Sequence, residues 1–243
     1  MVPVKEHYDT HLGKLYSWMQ GDFNEKVQQQ QQFFTQVQIT PAQNGATIDI
    51  GCGNGIQSIA LANLGFNVTA VDFSRTLLDE LKNNAGDKPV TIIEAAATAI
   101  DQYAKPAELI VCMGDALTHF DGHVQVKELF TEWLKFLLPG GKLVVSFREL
   151  DIALENEKRF IPVRSDENRI LTCFLEYFDA YVIVHDILHE RSGDRWDLSV
   201  SSYQKLRLSR NEVAGMLVKT GYEVIDGRTI DGMVYVVARK PAS

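Results

Sequence analysis

Asp49, Gly51, Gly53 and Gly55 occupy alternate positions in the run Thr47-Ile48-Asp49-Ile50-Gly51-Cys52-Gly53-Asn54-Gly55. Glycines at this spacing permit positive φ and let backbone N–H groups come close to a ligand. A dinucleotide fingerprint would carry its last glycine at position 56, but that residue is Ile56, whose branched side chain disfavours a pyrophosphate. A phosphate-cradling P-loop needs a Gly-Lys-Ser/Thr ending, and none is present. Asp72 follows in Val71-Asp72-Phe73-Ser74. A carboxylate there can accept hydrogen bonds from both hydroxyls of a ribose, or it can serve as a turn or cap residue. Its position one strand after the glycine turn favours the ribose. The chemistry implied is nucleoside binding.

These residues, with Leu138-Pro139-Gly140-Gly141-Lys142-Leu143, resemble the class I S-adenosylmethionine-dependent methyltransferases over about residues 46–147. The resemblance implies a methyl transfer from S-adenosylmethionine, the one cofactor expected. It sets Gly51, Cys52 and Gly53 against the methionine part, with Asp49 orienting the turn or the amino group. Asp72 would hold the ribose, Phe73 would lie along the adenine, and Ala96 and Ala97 would contact the adenine through their backbones. Many members carry an acid where this chain has Ala96. Met113 and Gly114 would lie beside the transferable methyl, with Asp115 and His119 as the catalytic candidates. A tyrosine-bearing N-terminal helix often caps the cofactor in this family, which singles out Tyr16 and Trp18 for the cofactor and Tyr8 for the substrate. Arg148 is the candidate partner of an acceptor carboxylate, or it pairs with Glu149 or Asp151 nearby.

Regular alternation of elements must position these groups. Strands are expected at 46–50, 67–71, 90–93, 109–113 and 142–147, with helices at 56–64, from Ser74 to Gly86, and at 124–138. Val126, Leu129, Phe130, Trp133, Leu134 and Leu137 share one face of that last helix. The order predicts an α/β fold: a Rossmann-like, seven-stranded, mostly parallel sheet with helices on both faces. Residues 169–178, 181–191 and 195–208 are rich in β-branched and aromatic types and predict an inserted antiparallel meander. Ser209-Arg210-Asn211-Glu212 reads as a capping box opening a helix that ends at Gly221, followed by strands at 222–226 and 233–239. Before the sheet, a helix is expected at 23–37, with the run Gln28 to Gln32 on its wet side. The expected organisation is an N-terminal helical cap (1–40), a cofactor-binding core (41–147), an inserted lid (148–208) and a C-terminal part of the core (209–243).

The 243 residues can bury a sizeable core, and Cys52, Cys112 and Cys173 read as buried reduced thiols. The six histidines show no ligand-type pairing with acids, so no metal is expected. A net charge of −8 and the lack of an Asn/Asp-Pro-Pro-Tyr motif argue against nucleic acid. Without a signal peptide or a long apolar stretch, a cytoplasmic chain with no membrane partner is expected. The reading is a methyltransferase acting on a nitrogen or oxygen of a small molecule, with the oligomeric state open. The alternatives are a protein that binds S-adenosylmethionine without transferring its methyl, and a transferase of the aminopropyl type.

Overall fold

The computed structural model describes residues 3–242. Three helices precede the sheet: α1 (Val4–Thr10), α2 (Tyr16–Gln20) and α3 (Phe23–Gln36). Asp22 caps α3 by accepting from the backbone N–H of Glu25 at 2.8 Å. The core then alternates through β1 (Ala46–Ile50), α4 (Ile56–Asn63), β2 (Asn67–Asp72), α5 (Arg75–Ala85), β3 (Val90–Glu94), β4 (Ala107–Cys112), α6 (His123–Phe136) and β5 (Leu137–Arg148). Four antiparallel strands follow, β6 (Phe160–Ser165), β7 (Arg169–Tyr177), β8 (Tyr181–Ser192) and β9 (Arg195–Leu206). The chain returns to the core with α7 (Arg210–Lys219), β10 (Glu223–Ile230) and β11 (Met233–Arg239).

The central sheet has the order β3-β2-β1-β4-β5-β11-β10. Its first five strands are parallel, and β11 and β10 close it antiparallel. Period-two alternation sends Ile110, Leu143 and Val145 to one face, where they meet Phe130 and Trp133 of α6 and Leu217 of α7. Leu109, Val111 and Val144 point to the other face, against Phe34 of α3, Ile59 of α4 and Leu81 of α5. Each such fully buried side chain contributes about 1.5–3 kcal/mol, so the sheet is anchored from both sides. Strand order reverses between β1 and β4, and the crevice outside their carboxyl ends is the natural ligand site.

Three expectations change. The helix expected to reach residue 138 ends at Phe136, and β5 begins at Leu137 rather than at 142, running through Pro139-Gly140-Gly141. The extra residues are absorbed by a register shift against β4 between Ala107 and Leu109. The antiparallel insert has four strands, not three. Its extra strand, β6, is an edge strand containing Pro162, which has no N–H to give a ladder and so suits only an edge. Ser74 does not cap α5 with its hydroxyl; instead its backbone N–H donates to Asp72 Oδ1 at 2.8 Å. The capping box at Ser209 and Glu212 is present in full. Among the described residues, no helix is long and apolar enough to cross a membrane.

Candidate functional site

A pocket opens at the carboxyl ends of β1, β2 and β4, enclosing about 860 Å³ of empty space with its mouth included. Its floor is the glycine turn. Gly51 has φ +71°, and a Cβ there would lie 2.8 Å from Ala116 Cβ, so only glycine lets the two loops approach. Gly53 (φ +54°) faces the Tyr16 ring. Its backbone N–H donates to Asp72 Oδ2 at 2.9 Å, which ties the turn to the end of β2. Burial pushes the Asp72 carboxyl above its ordinary range, while the backbone N–H groups of Ser74 and Gly53 pull it back. Asp72 lines the pocket with oxygens whose remaining lone pairs can accept ribose hydroxyls.

Phe73, Ala96, Ala97 and Gly114 also line the pocket, and Val71, Leu77, Ala95 and Thr98 make its wall mostly apolar. The roof is the N-terminal segment, through Val4, Tyr8 and Tyr16. Tyr8 meets His119 edge to face, with ring centroids 5.7 Å apart and its hydroxyl 3.4 Å from Nε2. Helix α1 is fastened to the antiparallel sheet by the fully buried His7, whose Nδ1 is hydrogen-bonded to Ser201 Oγ at 2.7 Å. The His7 ring stacks on Tyr203 at 4.1 Å, and Nε2 stands 3.2 Å from Asp186 Oδ2.

His119 lines the pocket, and its Nδ1 is buried without a partner. Burial, and then the Lys205 cation, push its pKa down to about 3, so the imidazole is neutral at physiological pH. Asp115 sits in the left-handed region (φ +79°) at the end of β4. Its carboxylate pairs with Lys205 of β9 and accepts from the Arg148 backbone N–H at 2.9 Å. Burial alone would raise the Asp115 carboxyl, but the Lys205 ammonium outweighs it and holds the group below the usual carboxylate range.

The structure therefore gathers Gly51, Gly53, Asp72, Phe73, Ala96, Ala97, Gly114, Tyr8, Tyr16 and His119 around one pocket. Other candidates stand behind or beside it. Asp49 lies under the turn, accepting from Ser58 Oγ at 2.6 Å. Cys52 and Met113 are buried in the cluster on the α3 side of the sheet. Trp18 packs beside Leu171 and Leu188, and its indole N–H donates to Asp166. Asp115 turns toward Lys205 of the antiparallel sheet rather than into the pocket, and Arg148 is exposed at the carboxyl end of β5. Lys205 escaped sequence reasoning because one lysine on an alternating strand carries no sign of a partner 90 residues earlier. Among the described residues, no three His, Cys, Asp or Glu side chains converge as a metal site.

A methyltransferase-domain family matches residues 48–141, which includes the glycine turn, Asp72 and β4. The ubiquinone biosynthesis O-methyltransferase of Caulobacter sp. (strain K31) is 32% identical over 110 residues, covering 44% of this chain and 42% of that protein. The mitochondrial ubiquinone biosynthesis O-methyltransferase of Schizosaccharomyces pombe is 30% identical over 188 residues, or 68% of this chain and 65% of that protein. The chain thus spans less than two thirds of the length of these curated relatives. In fold, it is similar to a S-adenosylmethionine-dependent methyltransferase of Clostridium acetobutylicum ATCC 824, with a TM-score of 0.73 at 14% identity, covering 97% of both chains.

Proposed function

We propose that this chain, a member of the class I S-adenosylmethionine-dependent methyltransferases, transfers the methyl group to a nitrogen or oxygen of a small molecule. The observation that carries the reading is the joining of Gly53 to Asp72 in the wall of one roofed, largely apolar pocket. Its cofactor is S-adenosylmethionine, which supplies an electrophilic methyl on a sulfonium when bound. Gly51 and Gly53 would take the methionine part, Asp72 the ribose, and Phe73, Ala96 and Ala97 the adenine. The absence of side chains at the two glycines and the free lone pairs of Asp72 support that fit.

Methyl transfer asks the protein to align the acceptor, exclude water and manage one proton. Tyr8 and Tyr16 roof the pocket and keep bulk water out. His119 is too weak a base, with a pKa of about 3, to take a proton from an ammonium. Its ring, held against Tyr8 in the pocket wall, would instead shape the space that the acceptor fills. Asp115, kept ionised by Lys205, supplies negative charge behind the reacting centre, where an attacking amine turns cationic. Arg148, exposed at the carboxyl end of β5, would be the partner of an acceptor carboxylate.

One observation favours the second reading, a protein that binds S-adenosylmethionine without transferring its methyl. The space beside Asp115 is taken by Lys205, with Tyr203 and His119 close at hand. A thermal-shift series with S-adenosylmethionine, S-adenosylhomocysteine and NAD, followed by mass spectrometry over small amines, phenols and carboxylic acids, separates the readings. A +14 Da product and a shift with the first two ligands support transfer. Shifts without any product favour the binder, and a shift with NAD alone overturns both.

A further inference from the structure

Helix α1 spans only Val4–Thr10 and has no side-chain cap, so it does not hold itself in place. Its successive residues face two ways: His7 meets the antiparallel sheet, while Tyr8 lines the pocket. Neighbours in a helix point about 100° apart, so fixing one fixes the direction of the other. Helix α2 is tied to the core beside Tyr16, where Ser17 accepts from Asn54 of the glycine turn at 2.8 Å and donates to Glu80 of α5. For α1, among the described residues, the side-chain bonds to the core are long. Lys5 Nζ lies 3.5 Å from the Phe73 carbonyl, and the Tyr8 hydroxyl lies 3.4 Å from His119 Nε2. Its short one runs to the antiparallel sheet, from His7 to Ser201 at 2.7 Å.

Three side chains of the sheet receive the His7 ring. Ser201 of β9 is bonded to Nδ1, Asp186 of β8 stands 3.2 Å from Nε2, and Tyr203 of β9 stacks on the ring at 4.1 Å. Asp186 and Ser201 are directly opposite in the register, and Tyr203 lies two residues on, so the three share one face. An imidazole meets all three demands, with two ring nitrogens for the polar partners and a flat face for the tyrosine. His7 is fully buried and Asp186 nearly so, so parting them leaves polar groups stranded out of water. The seat is costly to vacate.

We propose that His7, with the pocket read as the S-adenosylmethionine site, is a positioning residue: seated in the antiparallel sheet, it holds Tyr8 over the cofactor and slows its release. The sheet thus sets how long the cofactor stays, although none of its described residues lines the pocket. Opening the roof above Phe73 and Gly114 means lifting α1 off this seat. A lost seat contact therefore shows in the dissociation rate.

Surface plasmon resonance of S-adenosylhomocysteine on the full chain measures that rate. His7→Ala is expected to raise it roughly 10-fold, and His7→Gln, which keeps an amide for one polar partner, by less. Ser201→Ala cuts the same seat from the sheet side, leaves α1 unaltered and should raise the rate roughly 3-fold. Tyr8→Ala raises it as well, and adding His7→Ala or Ser201→Ala should change nothing more, because the seat acts through Tyr8. A merely structural loss would instead lower the fraction of chain that binds and leave the rate of the remainder as it was. Wild-type rates in Ser201→Ala and in folded His7→Ala, or effects that add in full to Tyr8→Ala, overturn the positioning role while the pocket reading stands. A wild type that does not bind S-adenosylhomocysteine overturns both.

Discussion

Asp72 Oδ2 accepts the Gly53 backbone N–H at 2.9 Å while Oδ1 accepts that of Ser74 at 2.8 Å, so one carboxylate fixes both loops of the pocket floor. Asp72→Ala removes both bonds and the ribose acceptor together. Calorimetry with S-adenosylhomocysteine should show affinity weakened roughly 10- to 100-fold, the value of one or two charge-assisted hydrogen bonds. An unchanged affinity would mean that the ribose binds elsewhere.

Gly53 and Gly55 separate binding from stability. Both have positive φ, +54° and +94°, so alanine strains either by about 1–2 kcal/mol. At Gly55 the added Cβ would also overlap the fully buried Leu81, adding an overpacking cost of about 1–3 kcal/mol. At Gly53 it would meet the Tyr16 ring at 3.6 Å, an ordinary contact on the pocket side. Gly55→Ala is therefore expected to lower the urea midpoint more, and Gly53→Ala to weaken cofactor binding more. The reverse ranking would contradict this placement of the turn.

The central sheet was legible because its signals are local: period-two runs, a glycine turn between β1 and α4, and a capping box before α7. The pocket floor was legible for the same reason, since Gly51, Gly53 and Asp72 sit within one strand–helix–strand unit. Two kinds of feature were not. Strand β6 is hidden by Pro162, which argues against a strand unless its place at the sheet edge is known. The surroundings of Asp115 and His119 depend on Lys205 and Tyr203 of β9 and on His7 of α1, two elements far apart in sequence. Burial and that neighbouring cation keep His119 neutral, which a reading of the sequence alone does not show.

Lys205 and Asp115 join β9 of the antiparallel sheet to the end of β4 as a nearly buried ion pair. Lys205→Met would leave the Asp115 carboxylate buried and uncompensated, a loss of about 3–5 kcal/mol. Adding Asp115→Asn removes the stranded charge, so the double variant should be more stable than Lys205→Met alone. A double-mutant cycle by urea unfolding measures this. Strict additivity would show that the pair contributes nothing as a pair.

Asp49 and His119 should tilt stability with pH in opposite directions. Burial pushes the Asp49 carboxyl up to about 7, with the Ser58 bond opposing, against about 3.9 for an unfolded aspartate. The folded chain thus keeps a proton that the unfolded chain has released. The stability from this group is present below about pH 4 and lost as pH rises through about 7. Burial holds His119 down to about 3, against about 6.5 unfolded. Its contribution is present above about pH 6.5 and lost as pH falls toward about 3. Asp49→Asn keeps an oxygen for Ser58 and cannot ionise, so it should gain on the wild type between about pH 5 and 8, by up to about 4 kcal/mol. His119→Gln should flatten the acid limb instead. Urea unfolding across that range checks both, and parallel wild-type and Asp49→Asn curves would show that Asp49 is already ionised in the folded chain.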